Sequence, residues 1–532
     1  MSPSAPSGSG RTLVLRTSTG VKCSKPHKNQ ECLSLSLKIA AIADTHYSTA
    51  APLPDDKRRM SIADTLLLRA VHRINRFIKP DLTLILGDLV DDGAGPEGRE
   101  WLERMRETIA LLESRVIVIP GNHDKDVDEF YKIFPRPEDV QDIEGVRFVT
   151  FIDPEEPRYN ARRTQADLKR MEHARAGFDG PIVSLQHVPA FPPGASECPF
   201  GFVNAGDVWG AFERNEYTLT ISGHWHEGDD LVARGAGKAV IVPSLCEKPF
   251  AFMEIEIDGD RIETHRHELS IPRELELVDY HVHSPFAYCQ ENMDMALSIE
   301  LGRELGLAGL TLTEHSGQLY FDRHTFWKAA FMEKGIDTKV GIDERMQAFM
   351  EQARQFSPPA YIGLEIDCDF SGNPVIKPED LAQVQVRIGA VHWLAELMKP
   401  EPDINRAADE MIGRLSRFLG SGLHILAHPL RVFKRPIEDL PADFLPRLIS
   451  LLREHGVAAE VNFHTQNTQP EFVKACVEGG VKLVFGSDSH NLYEVAEFYP
   501  HLELMRKCGY YNSLQTVMAD IREGIGNRRE NS

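Results

Sequence analysis

The sequence predicts an α/β protein of two domains, and three observations carry that expectation. From residue 36 onward, short apolar runs of strand length alternate with amphipathic stretches of helical spacing. The chain has 532 residues, more than a single hydrophobic core ordinarily serves. Near residue 272 the pattern changes, from closely spaced strands closing on a hairpin to a regular strand–helix series.

In chain order, residues 1–35 are rich in Ser, Pro, Gly, Thr and Lys and read as a disordered tail. They lack the apolar stretch of a secretory signal, although a basic, Ser-rich organellar presequence remains a second reading. Residues 37–43 read as a buried strand and 62–78 as a helix with apolar residues at 3.6 spacing. Buried strands follow at 82–86 and 116–119, each running straight into a polar loop. Strands then come closer together, at 182–185, 218–222, 239–242 and 250–257. The last turns at Asp258, Gly259 and Asp260 and returns over 261–265. These elements place a first domain at 36–271. A second series has strands at 278–282, 309–313, 360–366, 387–391, 424–427, 458–462 and 483–486, with helical patterns between most of them. Such a series fits a parallel (β/α) barrel at 274–515, followed by a C-terminal tail at 516–532.

Composition narrows the function classes. With 59 basic against 80 acidic residues the net charge is −21, which argues against binding nucleic acid through the overall field. No apolar run approaches the roughly 20 residues of a membrane span. The 8 cysteines are scattered, with no C-x-x-C pair, as expected of reduced thiols in a cytoplasmic protein. The run from Gly93 to Gly98 fits the dinucleotide spacing G-x-G-x-x-G but includes Pro96 and has no strand leading into it, so we reject it.

Metal-ligand residue types recur in order at the ends of predicted strands. In the first domain they are Asp44 and His46, Asp88 and Asp91, Asn122 and His123, His187, and His224 and His226. Carboxylates with neutral imidazoles and an amide oxygen suit Mn, Fe or Zn in mixed N/O sites. This order resembles the calcineurin-like metallophosphoesterase family, in its cyclic-nucleotide phosphodiesterase-like branch, whose α/β sandwich carries two metals. The resemblance implies that Asp44, His46, Asp88 and His226 hold one ion, and Asp88, Asn122, His187 and His224 the other. It further implies that His123 ligates nothing and protonates the leaving alkoxide, and that the Asp91 carboxylate orients it.

In the second domain the strand ends carry Asp279, His281, His283 and Ser284, then His315, Glu365, His392, His428, Asp488 and His490. That order looks like the polymerase and histidinol phosphatase (PHP) domain, a distorted barrel with up to three metals. The resemblance implies one site of His281, His283, Glu365 and Asp488, and a second of Glu365, His392 and His428. His315 and His490 serve the remaining ion, with Glu291 standing about where the histidinol-phosphatase branch has a further histidine. That departure weakens a histidinol phosphate assignment. Asp367 and Asp369 read as solvated or supporting carboxylates, His424 as packing, and His265 and His267 as surface residues. Arg431 is a candidate for substrate phosphate, with a solvated loop as the equal alternative.

The expectation is a bifunctional metal-dependent phosphoesterase acting on a small phosphorylated substrate. It would hydrolyse a phosphodiester, cyclic or linear, at the first site and a phosphomonoester at the second. A nucleic-acid-processing phosphodiesterase and a metal-binding scaffold without turnover are the alternatives. Substrate, metal identity and oligomeric state are not legible in the sequence.

Overall fold

A computed structural model describes residues 36–50, 57–124, 126–339 and 343–522. The expected N-terminal tail lies outside the described residues. Among the described residues no helix is long and apolar enough to cross a membrane.

The first half is built on two sheets. The five-stranded sheet runs Arg261–Glu268, Ala251–Asp258, Leu37–Ile42, Leu82–Leu86, Arg115–Ile119; its last three strands are parallel, and its hairpin joins antiparallel. The six-stranded sheet runs Asp229–Arg234, Gly237–Ile241, Leu219–Ser222, Ile182–Leu185, Val146–Thr150, Val140–Ile143. A core of Ile39, Leu84, Ile117, Phe148, Val183, Ile221, Ile255 and their neighbours packs the two sheets together. The parallel strands end on the same side, and their apolar runs give way there to polar loops. The hairpin Val140–Thr150 and the strand Asp229–Arg234 were not among the expected strands. Val140–Ile143 and Asp229–Arg234 mix apolar with charged residues at half-buried positions, and the buried run Val146–Thr150 is short and broken by Arg147.

The sandwich's last strand ends at Glu268, and the next strand begins at Val278. From there seven parallel strands follow in sequence order, from Val278–Val282 to Leu483–Phe485. Val282 bridges in parallel to Ser489, which brings the first strand against the chain leaving the last and curls the sheet into a barrel-like form. A small apolar cluster including Tyr280, Ile388, Ile425 and Val484 lines one face of this sheet. Helices cover the other. The ordered chain continues past 515: Leu514–Val517 is helical, Met518 bridges to Leu483, and Ala519 N bonds Leu483 O, so the first part of the expected C-terminal tail is built into the sheet.

The two halves share one hydrophobic core. The helix Ala63–Arg73 buries Leu66, Leu67, Ala70 and Val71 at helical spacing, in the same cluster as Leu301, Leu312, Val495 and Phe498. Above that contact lies a buried ion network. Glu497 accepts from Arg69 Nη1 at 3.0 Å and from Arg73 Nη2 at 2.8 Å, while Arg73 Nη1 donates to Glu268 O at 2.7 Å. A second bridge joins Glu304 to Arg59 at 2.8 Å and to Lys248 at 2.9 Å. His267, expected at the surface, is buried and bonds Glu254 Oε2 at 2.6 Å. It lies where the second half covers its strand, with Tyr499 against its ring.

Burial alone would raise the pKa of Glu497, but Arg73 and Arg69 hold it below the ordinary 4.5. A lowered carboxyl pKa contributes stability that is present above 4.5 and is lost as the pH falls below it. Glu497→Gln leaves two buried guanidiniums without their counter-charge. The expected cost is about 3 kcal/mol at neutral pH, read by denaturant unfolding. The gap from wild type should narrow as the pH falls below 4.5. A pH-independent gap would assign the cost to lost packing.

Candidate metal centres

The donors of the first centre sit at the ends of the parallel sandwich strands. Asp44 and His46 follow Leu37–Ile42, Asp88 follows Leu82–Leu86, Asn122 and His123 follow Arg115–Ile119, His187 follows Ile182–Leu185, and His224 follows Leu219–Ser222. Each chain leaves its strand by a sharp turn, and Asp44, His46, Asp88 and His224 all have left-handed backbone, with φ of 56°, 46°, 53° and 71°. Gly121 lets two loops close together, since a Cβ there would stand 2.2 Å from Asp88 Oδ1.

The side chains converge in two sets. His46 Nε2 lies 3.6 Å from Asp88 Oδ2 and 3.2 Å from His226 Nε2, and His226 Nε2 lies 3.7 Å from Asp44 Oδ1. On the other side, His187 Nε2 is 3.3 Å from Asp88 Oδ2, 3.2 Å from Asn122 Oδ1 and 3.1 Å from His224 Nδ1. Asp88 therefore stands between the two sets. Asp44 Oδ1 is buried and has no hydrogen-bond partner. Imidazole nitrogens facing each other at 3.2 Å beside an orphaned carboxylate oxygen fit divalent cations and fit little else. The second nitrogens are already engaged, His187 Nδ1 with Leu86 O at 2.7 Å and His226 Nδ1 with Glu247 Oε1 at 2.5 Å, which aims their Nε2 lone pairs inward.

Electrostatics follow from burial. Burial opposes charge on Asp88, yet His187 and His46 hold its carboxyl well below the usual range. Burial likewise opposes charge on His187, but Asp88 raises it to about 10. His224 is pushed down to about 3 by burial and by His187 beside it.

Asp91 departs from its expected role. His123 Nδ1 donates to the backbone O of Asp91 at 2.7 Å, while the carboxylate Oδ1 stands 3.9 Å away. That carboxylate instead accepts from Arg58 Nη1 at 3.1 Å and faces His46 Nδ1 at 3.4 Å, because the guanidinium draws it to the other side of the loop. Asp124, next to the expected residues, ties the loops together. Its Oδ1 accepts from Leu89 N at 2.8 Å and its Oδ2 from Gly121 N at 2.9 Å; burial and Asp88 raise it to about 7.

The second centre is built around Glu365 in the strand Tyr361–Asp367. Five imidazoles surround this buried carboxylate: His315 Nδ1 at 2.6 Å, His428 Nε2 at 2.7 Å, His392 Nε2 at 3.2 Å, His281 Nε2 at 3.5 Å and His283 Nε2 at 3.7 Å. Asp488 Oδ1 lies 3.1 Å from His283 Nε2 and 3.6 Å from His281 Nε2. Glu365 Oε2, His281 Nε2 and His392 Nε2 are buried without hydrogen-bond partners, so these donors also fit cations. His428 and Asp488 again have left-handed backbone, at φ 27° and 54°. Burial opposes charge on Glu365, but His315, His392 and His281 hold it well below the usual range. His428 is pushed down to about 3 by burial and by Arg431.

Supporting carboxylates complete this centre. Asp367 Oδ1 bonds His392 Nδ1 at 2.7 Å. Glu460 Oε1 bonds His281 Nδ1 at 2.8 Å, and its Oε2 accepts from His428 N at 2.8 Å. Glu460 and Glu247 were missed in the sequence. A glutamate inside the apolar strand Ala458–Val461 is a buried-charge signal that could have found the first; Glu247 sits in a loop with no pattern.

One further expectation changes. Glu291 is exposed, and its Oε2 accepts from Asn491 Nδ2 at 2.8 Å rather than facing His315 and His490. The loop turns inward two residues earlier, at Cys289, whose thiol burial pushes up to about 12. Arg431 lies inside the cluster, paired with Asp488 Oδ2 and His428 Nε2, not on a solvated loop. Its guanidinium offsets the surrounding carboxylate charge.

Residues 37–228 match the family described as calcineurin-like phosphoesterase, and the first half is a calcineurin-like metallophosphoesterase domain, a family whose centre is dinuclear with divalent ions. Over 86 residues the chain is 34% identical to a probable glycerophosphodiester phosphodiesterase GpdQ of Arcobacter nitrofigilis. The match covers 16% of this chain and 29% of the length of that curated relative. Among solved structures, a dimetal phosphatase from Danio rerio aligns at TM-score 0.35 and 14% identity, over 44% of this chain and 99% of that one. A purple acid phosphatase from yellow lupin aligns at TM-score 0.34 and 10% identity, over 44% and 52% of the two chains.

Glu247→Gln removes the charge that holds His226 Nδ1. Affinity for a divalent ion at the first centre should fall about 10–100-fold in competition with a chromophoric chelator. Unchanged affinity would make the Glu247 contact incidental.

Proposed function

We propose that the chain is a metal-dependent phosphoester hydrolase with two centres, the first cutting a phosphodiester and the second, a PHP-type barrel, removing a phosphomonoester. The observation that carries this reading is the convergence of buried, unpartnered N and O donors at strand ends in two places, with His123 beside the first set. A site that only stored ions has no use for a histidine whose Nδ1 is fixed by the main chain. The name of the GpdQ relative, a probable glycerophosphodiester phosphodiesterase, supports the diester as substrate class.

When bound, divalent ions supply Lewis-acid polarisation of the phosphoryl group and acidify the attacking water. The chain's own residues do the rest. Asp44, His46, Asp88 and His226 would hold one ion, and Asp88, Asn122, His187 and His224 the other. His123 donates from Nδ1 to Asp91 O, so its Nε2 is left to deliver a proton to the leaving alkoxide. Arg58, fixed by Asp91, places positive charge beside this centre. In the second centre Glu365 is shared between ion sets, Glu460 and Asp367 orient His281 and His392, and Arg431 receives the monoester phosphate. Carrying both centres on one chain raises the local concentration of the monoester near the second.

His123→Asn should lower kcat on a small phosphodiester by about 10²–10⁴ with metal content unchanged. Metal lost together with activity would make His123 a ligand. Phosphorus NMR of the Mn-loaded protein given a small cyclic phosphodiester should show a transient monoester followed by inorganic phosphate. A monoester that accumulates unchanged would sink the sequential reading, and turnover of single-stranded DNA in preference would replace it with a nuclease.

A further inference from the structure

Cys289 has no part in the hydrolysis proposed above, yet its sulfur faces the second centre. Sγ lies 3.1 Å from His490 Nε2 and 3.6 Å from His315 Nε2, and Gln318 Nε2 donates to it from 3.5 Å. His490 Nδ1 is engaged with Asp488 O at 2.8 Å, which fixes a proton there and turns the Nε2 lone pair toward the sulfur. His315 is buried, and its Nδ1 lies against the Glu365 carboxylate without hydrogen-bond geometry. His283, His315 and His490 each offer a nitrogen within 4.8 Å of the other two.

Nitrogens of His490, His315 and Gln318 converge on this one sulfur. A thiol gives its proton to one imidazole at most, so the other must donate to the sulfur, a weak acceptor. A shared cation engages the sulfur and both imidazole lone pairs at once. Sulfur at ~2.3 Å and nitrogen at ~2.1 Å from a tetrahedral ion stand about 3.6 Å apart, which is the His315 spacing and about 0.5 Å wider than the His490 one.

We infer that Cys289 Sγ, His315 and His490 Nε2 hold a thiolate-ligated divalent ion of the borderline-soft class, such as Zn or Co. The inference rests on the second cluster being a metal centre, as proposed above. Binding breaks the S–H bond, forms the metal–sulfur bond and releases the proton to solvent. A thiolate selects Zn, Co or Fe over Mg and Mn, which favour oxygen. This corner of the barrel then takes a different metal from a centre built only of imidazole and carboxylate.

The test uses the full chain, stripped with chelator and reloaded with Co. The wild type should show a near-ultraviolet thiolate-to-cobalt charge-transfer band. Cys289→Ser should lose that band and one ion per chain by elemental analysis, and His490→Ala should do the same. Glu365→Gln separates the two readings. If it loses ions while Cys289→Ser keeps both band and count, the thiolate assignment is overturned and the metal centre stands. If neither substitution changes the count, both fall. A measurement independent of variants is alkylation of Cys289 read by peptide mapping. Zn loading should protect it, and equal labelling with and without metal overturns the inference.

Discussion

Burying a carboxylate is the constraint on which the rest of this molecule depends. An isolated charge in a protein interior is too costly to persist, so it must be matched by partners held at fixed distance. Glu365 has no exposed surface and is ringed by five imidazoles; Asp88 occupies the same role between two sets in the first half. Each ring is drawn from several strands, so neither forms unless the strands are in register and their ends are aligned. The sheets determine where the imidazoles are, and the imidazoles make the buried charge tolerable. Glu460, Asp367 and Glu247 extend the same logic outward, each turning a ring nitrogen inward by holding the other.

The two halves are physically one body on their contacting side. Leu66 and Ala70 from the first half and Leu312 and Val495 from the second belong to one apolar cluster, and Glu497 is clasped by two arginines from across the boundary. Glu494, three residues from that clasp, accepts from His490 N and bonds His464, so the interface lies next to the loop that presents the second centre. The first centre is tied across in the same way, since Lys248, beside Glu247, pairs with Glu304 of the second half.

Much of this was legible in the sequence because parallel strands buried on both faces are unbroken apolar runs, and the chemistry sits where those runs stop. The seven barrel strands could be read from those runs. What could not be read was direction within loops. Asp91 and His123 meet at one loop, but whether a side chain or a carbonyl meets the imidazole depends on a loop dihedral and on Arg58 competing for the carboxylate. Glu291 and Cys289 differ by two residues, and only the turn of the loop decides which faces inward. The hairpin Val140–Thr150 escaped because its strands are short runs broken by the charged Asp142 and Arg147. His267 escaped because its cover comes from residues more than two hundred positions away.

Six of the donors, Asp44, His46, Asp88, His224, His428 and Asp488, occupy left-handed backbone. Asp, Asn and His tolerate that conformation far better than longer or branched residues do. At these positions the backbone therefore disfavours substitutions that metal chemistry would accept. Glutamate can replace aspartate as an oxygen ligand, and the chain carries it in left-handed backbone at Glu144, Glu216 and Glu276, but it enters that region less readily than aspartate. Glu365, in a regular strand, is free of this strain and is where the longer carboxylate is found. Exchanges among Asp, Asn and His are the ones the six bent positions accept most readily. Each such exchange alters the charge of the cluster or exchanges oxygen for nitrogen, so new metal preferences in this scaffold would arise more readily in discrete steps than by gradual adjustment of ligand reach.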